Sequence, residues 1–159
     1  FGGGNFYVAK KIRERFAENG VEGSRLIFEG RSDRSGYFDT YRKIDIALDS
    51  FPFTGGVTTT DSLWMGVPVL TRCGRDTFIS HQGESILHTA GFSNWVAQDE
   101  ADYVEKAISY AADWSGLEEF RVQARDLLLD TPLFNSELFA QNLENALRSI
   151  WEIYEDSIV

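Results

Sequence analysis

The chain has little of what builds disulfide scaffolds or membrane spans. Its 159 residues include one cysteine, Cys73, and three prolines. A single cysteine excludes an internal disulfide framework and fits a reducing compartment. No apolar run approaches the roughly 18 to 20 residues that a membrane-spanning helix needs. We therefore expect no membrane span and a cytoplasmic location.

The sequence also lacks the residue spacings typical of metal centres and the motif typical of serine hydrolases. The two histidines, His81 and His88, lie seven positions apart on a predicted helix, whereas histidine pairs that bind zinc on helices are typically four apart. No cysteine or acidic partner stands at ligand spacing, so we interpret both as surface or core histidines and predict no metal site. No Gly-x-Ser-x-Gly nucleophile motif occurs.

Positive charge is sparse after the first third of the chain. The formal net charge is −10, and Lys and Arg number 9 in residues 1–50 but only 3 in 51–115 and 3 in 116–159. A nucleic-acid-binding surface needs concentrated basic residues, so we predict no nucleic-acid partner. An acidic protein can still bind an anionic nucleotide through local backbone amides and helix dipoles.

Strand and helix patterns alternate along the chain. Strands are predicted at 25–29, 44–49, 67–70 and 95–97, with helices at about 5–19, 37–43, 80–90, 100–114, 117–129 and 135–154. This alternation predicts a single α/β domain over residues 1–159, with a Rossmann-like parallel sheet covered by helices. Asn5 and Asn135 are the expected caps of the first and last helices, and Gly20 the expected stop of the first.

Two helices show apolar stripes that we expect to face the core. In the helix from Glu100 the inward residues are predicted to be Val104, Ala107, Ile108 and Ala111. The last helix is predicted to pack over the sheet through Phe139, Leu143, Leu147, Ile150 and Tyr154.

The start of the chain suggests a piece of a longer protein. It opens on Phe1 rather than Met, and Gly2–Gly4 look like the end of a strand whose body is missing. We therefore expect a fragment that lacks its first strand or strands. The glycines do not form a dinucleotide fingerprint, because Tyr7 stands where the third glycine should fall.

Residues 45–71 (DIALDSFPFTGGVTTTDSLWMGVPVLT) carry the strongest local pattern. Apolar alternation predicts a strand, Pro52 and Gly55-Gly56 break regular structure, and Thr58 or Thr59 is the expected cap of a helix with Asp61 in its first turn. A helix N-terminus beyond a strand end presents unpaired amides and partial positive charge, which bind phosphate. An ordinary capped helix is the alternative.

The charged residues around this stretch each have two interpretations. Asp61 either favours the helix N-terminus electrostatically or accepts hydrogen bonds from ribose hydroxyls. Asp45 and Asp49 alternate with apolar positions, so we predict that both are exposed. Arg72 and Arg75 could meet an anion, but exposure to solvent is the usual fate of arginine, and we predict it for both.

Residues 45–71 resemble the donor-nucleotide domain of the O-linked N-acetylglucosamine transferase family. That family includes bacterial glycosyltransferases linked to TPR repeats and plant SPINDLY-type fucosyltransferases. The likeness continues through GESIL (83–87), ADYV (101–104), TPLFN (131–135) and 143–154 with Trp151, and covers residues 26–154. It implies the C-terminal lobe of a GT-B glycosyltransferase.

The resemblance implies a binding site for a nucleotide sugar. Residues after the strand would present amides and hydroxyls to the donor diphosphate, namely Gly55, Gly56, Val57, Thr58 and Thr59. Asp61 would hold the ribose. Tyr37 and Arg34 stand where the family typically carries a histidine and a basic residue near the nucleotide, and Gly56 stands where relatives often carry His or Thr.

The resemblance also implies what the complete protein would do. The donor would be UDP-N-acetylglucosamine, UDP-glucose or GDP-fucose, and the acceptor a protein side chain bound by portions outside this chain. Transfer would need no metal or other cofactor, and no catalytic base is assigned within these residues. The alternative is a non-catalytic module that binds a nucleotide sugar as a sensor or scaffold.

Overall fold

The computed structural model describes residues 6–157, without the side chain of Phe6. Contacts divide the chain into two compact units, residues 1–40 and 41–159, and each is described by itself. That the whole chain is one domain stays a prediction. The expectations for Gly2–Gly4 and the Asn5 cap lie outside the described residues.

The first unit contains helix α1 (Phe6–Glu18), a 3₁₀ turn (Gly23–Arg25) and most of helix α2 (Arg34–Tyr41). The strand predicted at 25–29 is wrong. Ile27 is 83% exposed, and the described part of this unit offers no strand to pair with its backbone, without which an isolated strand is unstable. Phe28 instead packs against the guanidinium of Arg13, 4.6 Å from its ring centroid.

The second unit is built on a parallel sheet. Strands β1 (Ala47–Leu48), β2 (Val69–Arg72) and β3 (Val96–Ala97) lie in the order β1-β2-β3. Helix α3 (Val57–Trp64) connects the first pair and α4 (Gln82–Thr89) the second. They are followed by α5 (Glu100–Ala112), α6 (Trp114–Leu129) and α7 (Ser136–Ser157). The predicted α/β class with a Rossmann-like parallel sheet is confirmed.

The core lies around the central strand β2. Leu63 from α3, Leu70 from β2, Leu87 from α4 and Leu128 from α6 are fully buried. Burying a leucine side chain contributes about 1.5 to 3 kcal/mol, so these contacts fix the two crossover helices against the sheet. The loops at the carboxyl ends of the strands are thereby brought to one edge of the sheet.

The predicted inward face of α5 is partly wrong. Val104 is 56% and Ile108 68% exposed, whereas Tyr103, Ala107 and Tyr110 pack against the core. Tyr103, Ala107 and Tyr110 are spaced i, i+4 and i+7, so helical periodicity allows this face to point inward as well as the predicted one. The two tyrosines can be partly buried because backbone carbonyls accept hydrogen bonds from their hydroxyls. The Tyr103 hydroxyl donates to Asp49 O at 3.0 Å, and the Tyr110 hydroxyl donates to Asn94 O at 2.8 Å.

The predicted packing of α7 over the sheet is also wrong. Asn135 caps this helix as expected, since its Oδ1 accepts a hydrogen bond from the Leu138 amide at 2.9 Å. The predicted stripe is exposed at every position: Phe139, Leu143, Leu147, Ile150 and Tyr154. An amphipathic pattern shows that a helix has an apolar face, but not which surface covers it.

Among the described residues, no helix combines the length and apolar character that crossing a bilayer requires.

Candidate functional site

Helix α3 begins at Val57, two residues earlier than a Thr58 cap and three earlier than a Thr59 cap would place its start. Gly56 is the N-cap and no described side chain caps the helix, so the prediction of Thr58 or Thr59 as the cap is wrong. The first bond along the helix joins the Thr60 amide to Gly56 O at 3.1 Å. Asp61 is the fifth helical residue and belongs to the second turn, not the first as predicted.

The α3 N-terminus presents a row of backbone donors. In the described part of the chain, no protein group accepts a hydrogen bond from the amides of Gly56, Val57, Thr58 or Thr59. The first amides of any helix lack partners within it, and the helix dipole adds partial positive charge there. This arrangement suits an anion such as phosphate.

Gly55 lets the loop come close to the helix. A Cβ atom at this position would lie 2.5 Å from Thr59 Oγ1 and 2.9 Å from Thr58 Oγ1. Any larger residue would collide with the two hydroxyls, so glycine is required to place both of them beside the loop.

Asp49 fixes the loop of residues 49–56, called here the glycine loop. Its Oδ1 accepts hydrogen bonds from the amides of Gly55 (2.8 Å) and Ser50 (3.0 Å), and its Oδ2 accepts one from Thr71 Oγ1 (2.8 Å). The prediction that Asp49 is exposed is therefore wrong, because its carboxylate turns inward and is half-buried. Asp45 is exposed as predicted and lies 3.5 Å from Arg121.

A stack of side chains supports the same loop from the other side. The Arg72 guanidinium lies 4.2 Å from the Phe51 ring centroid and 2.8 Å from Glu100 Oε1, and its side chain is only 11% exposed. The prediction that Arg72 is solvated is therefore wrong, whereas Arg75 is exposed. Phe51 also meets the edge of Tyr103 at 5.7 Å. Burial, then the charge of Asp49, raises the pKa of Tyr103 to about 12.

A cavity of about 190 Å³ opens between β1 and the start of α3. It is lined by Tyr41, Ala47, Leu48, Asp49, Thr58, Thr59, Ser62 and Val69. Thr58 and Thr59 are thus the predicted site residues that line a cavity. The Tyr41 hydroxyl donates a hydrogen bond of 3.4 Å to Thr58 O.

The other predicted site residues lie around this cavity or in the first unit. Gly55 and Gly56 belong to the glycine loop and do not line the cavity, and the Val57 side chain is 77% exposed. Asp61 is partly buried one helical turn further along and does not line the cavity. Arg34 and Tyr37 lie in α2, where both contact the Phe38 ring, and their place in the site stays a prediction.

A second group of polar side chains holds the loop after β2. Glu84 accepts hydrogen bonds from the Cys73 thiol (3.2 Å) and the Gly74 amide (2.9 Å), and its Oε2 lies 3.0 Å from His81 Nδ1. His81 Nε2 lies 3.1 Å from Arg75 O. We call Cys73, Glu84 and His81 the Glu84 cluster.

The pKa values of the Glu84 cluster shift in opposite directions. Burial raises the pKa of Glu84, but the hydrogen bonds from Gly74, Cys73 and His81 outweigh it and lower the pKa overall. The hydrogen bond to Glu84, then that to Arg75 O, raises the pKa of His81. The hydrogen bond to Glu84, then burial, raises the pKa of the Cys73 thiol. Both shifts favour the pairing of a protonated His81 with an ionised Glu84.

Sequence reasoning missed Asp49 and Thr54 as residues that shape the site. Thr54 is 1% exposed; its hydroxyl donates to Ile79 O at 3.1 Å and accepts from the Gly83 amide at 2.9 Å. Position gave a signal only for the local bonds of Asp49, because Asp side chains beside a turn commonly bond to nearby backbone. Thr54 bonds to backbone 25 and 29 residues away, which no local pattern indicates.

The fold and site define a parallel α/β domain with a row of backbone donors at a helix N-terminus beyond its strands. Comparison identifies the family: the profile of Glycosyl transferase family 41 matches residues 6–143. The chain belongs to this family.

Named relatives agree with this assignment. Proteins named probable UDP-N-acetylglucosamine–peptide N-acetylglucosaminyltransferase SPINDLY are 40% identical in Solanum lycopersicum, over 77% of this chain and 13% of that protein, and 38% identical in Oryza sativa subsp. japonica, over 94% and 17%. A mutant of Thermobaculum terrenum O-GlcNAc transferase shares the fold with a TM-score of 0.86 and 29% identity, over 98% of this chain and 30% of that one. The chain therefore spans less than a third of the length of each of these relatives.

Proposed function

We propose that this chain is the donor-nucleotide-binding part of a glycosyltransferase that moves a sugar from a nucleotide sugar to a protein side chain. The observation that carries the proposal is the α3 N-terminus: its first amides have no acceptor among the described residues, a cavity adjoins it, and Gly55 approaches it closely. Family membership and the printed names of the relatives support it.

The proposed mechanism is electrostatic. The amides of Gly56, Val57, Thr58 and Thr59 and the two threonine hydroxyls would hold the donor diphosphate. Negative charge grows on this group as the bond to the sugar breaks, and fixed donors aimed at developing charge lower the barrier. Under this proposal the site needs no metal ion, and UDP-N-acetylglucosamine, UDP-glucose and GDP-fucose remain the candidate donors.

Asp61→Ala tests the proposal. If its carboxylate holds the ribose, the variant should bind UDP or GDP about 10- to 150-fold more weakly, the equivalent of about 1.5 to 3 kcal/mol for hydrogen bonds to a charged group. Isothermal titration of the chain with each nucleotide gives the affinity. Asp126→Ala, the same change at an exposed position in α6, is the control and should bind as the wild type does.

Denaturant unfolding separates a binding role of Asp61 from a structural one. A variant with unchanged affinity but a lower free energy of unfolding would make Asp61 structural. If the wild-type chain bound neither nucleotide, the proposal itself would fail.

A sensor or scaffold module is the second candidate. The observation that favours it is Tyr37, which stands where the family typically carries a histidine. A tyrosine cannot supply the imidazolium that this histidine would provide. A longer protein containing these residues that bound UDP or GDP but transferred no sugar would support the sensor. Measurable transfer to a protein acceptor would exclude it.

A further inference from the structure

Gln82 lies directly opposite the glycine at the start of α3. A Cβ atom built on Gly56 would fall 2.7 Å from Gln82 Nε2, 3.0 Å from its Cδ and 3.2 Å from its Oε1. The Gln82 carboxamide therefore occupies the space that a side chain at position 56 would take. A polar group from α4 thus reaches the row of amides at the α3 N-terminus.

The position of Gln82 is fixed by the buried Thr54. Gln82 is the first residue of α4, and the next residue, Gly83, donates its amide proton to Thr54 Oγ1 at 2.9 Å. Thr54 also binds Ile79 O, just before α4. A Cβ atom on Gly83 would lie 2.7 Å from Asp49 Oδ2, so α4 and the glycine loop are in close contact. The start of α4 and the glycine loop thus hold a defined relative position.

The Gln82 carboxamide is available to a ligand. In the described part of the chain, no protein group forms a hydrogen bond with it. Gln82 is exposed and also lines a cavity of about 260 Å³ with Phe78, His81, Ser85 and Ile86. A carboxamide offers two N–H donors, which match a phosphoryl oxygen bound at the adjacent amides.

We propose that Gln82 belongs to the donor site and donates a hydrogen bond to a phosphoryl oxygen of the nucleoside diphosphate at the α3 N-terminus. The inference rests on the proposed function, because the diphosphate must lie at that terminus. It assigns to Gln82 the contact that a side chain at position 56 could otherwise make.

A double-mutant cycle of Gln82→Ala and Gly56→Ala tests this inference. Gln82→Ala should weaken binding of UDP and of GDP about tenfold, as expected for a lost hydrogen bond to a charged group. Gly56→Ala should weaken binding to a similar extent, since its methyl group displaces the flexible carboxamide. The double variant should bind no more weakly than either single variant, because all three lack the same contact.

Two controls accompany the cycle. Gln141→Ala makes the same change on the exposed surface of α7 and should leave affinity unchanged. Gly30→Ala is the control for Gly56→Ala, because it adds a methyl group where a Cβ atom meets nothing within 4 Å. It should also leave affinity unchanged. Denaturant unfolding of every variant confirms that the fold is retained.

The outcomes separate the inference from the proposed function. Unchanged affinity in Gln82→Ala, with weaker binding in Asp61→Ala, would overturn the role of Gln82 and leave the donor site standing. Fully additive losses in the double variant would also overturn it, because the two substitutions would then remove different contacts. A wild-type chain that bound neither UDP nor GDP would overturn both.

Discussion

At the scale of single residues, Asp49 shows how the site is held together. Its carboxylate joins the end of β1 to the Gly55 amide and, through Thr71, to β2. The backbone carbonyl of Asp49 also accepts a hydrogen bond from the Tyr103 hydroxyl. Hydrogen bonds to this one acidic residue therefore help to set the shape of the glycine loop, and the row of amides at α3 depends on that shape.

Asp49→Ala and Asp49→Asn should differ sharply. Alanine leaves the Gly55 and Ser50 amides and the Thr71 hydroxyl without their acceptor, so we expect a loss of about 1 to 3 kcal/mol in the free energy of unfolding. Asparagine keeps one oxygen for the Gly55 amide, and its amide group can donate to the Thr71 hydroxyl. Its loss should be under about 1 kcal/mol, measured by urea unfolding.

Nucleotide titration shows whether Asp49 also positions the binding loop. Under that role, Asp49→Ala should weaken UDP binding while Asp49→Asn restores most of it. Equal stability and equal affinity in the two variants would contradict the hydrogen-bonding account of Asp49.

At the scale of elements, the loop after β2 and the start of α4 are joined by the Glu84 cluster. His81 gains a partner on folding and its pKa is raised, so its contribution to stability is present below the ordinary value of 6.5 and is lost as the pH rises through the folded value. The pKa of Glu84 is lowered, so its contribution is present above the ordinary value of 4.5 and is lost at lower pH.

His81→Gln should therefore have a pH-dependent effect on stability. The free energy of unfolding of the wild type should exceed that of the variant by more at about pH 5.5 than at about pH 8.5, because only the protonated imidazole pairs with Glu84 as a charge. Urea unfolding of both proteins at the two pH values measures the difference, and titrations common to both cancel. If the two proteins differed in free energy of unfolding by the same amount at both pH values, the charge pair of His81 and Glu84 would contribute nothing to stability.

Local patterns predicted the elements better than the contacts between them. The strand, glycine loop and helix of residues 45–64 follow from periodicity and turn residues, and the sequence motif identified the family. Asp49 and Arg72 could not be placed, because the partners that turn them inward come from distant segments: Thr71 for one, Phe51 and Glu100 for the other. The exposed faces of α5 and α7 were mispredicted because helical periodicity does not identify the surface opposite.

At the scale of the whole molecule, the site contrasts with the overall charge. The formal net charge of −10 does not attract an anionic nucleotide. The proposed site therefore depends on local donors: backbone amides at the α3 N-terminus, threonine hydroxyls and the Gln82 carboxamide. Such short-range contacts do not require a basic surface. The cytoplasmic location stays a prediction.

The most direct test of the central claim is a map of backbone amide chemical shifts during titration with UDP and with GDP. If a nucleoside diphosphate binds at the α3 N-terminus, the largest changes should fall on Gly56, Val57, Thr58 and Thr59 for at least one nucleotide. Unchanged signals at these residues under saturating nucleotide, or changes confined to distant residues such as Trp95 and Tyr110, would contradict the claim.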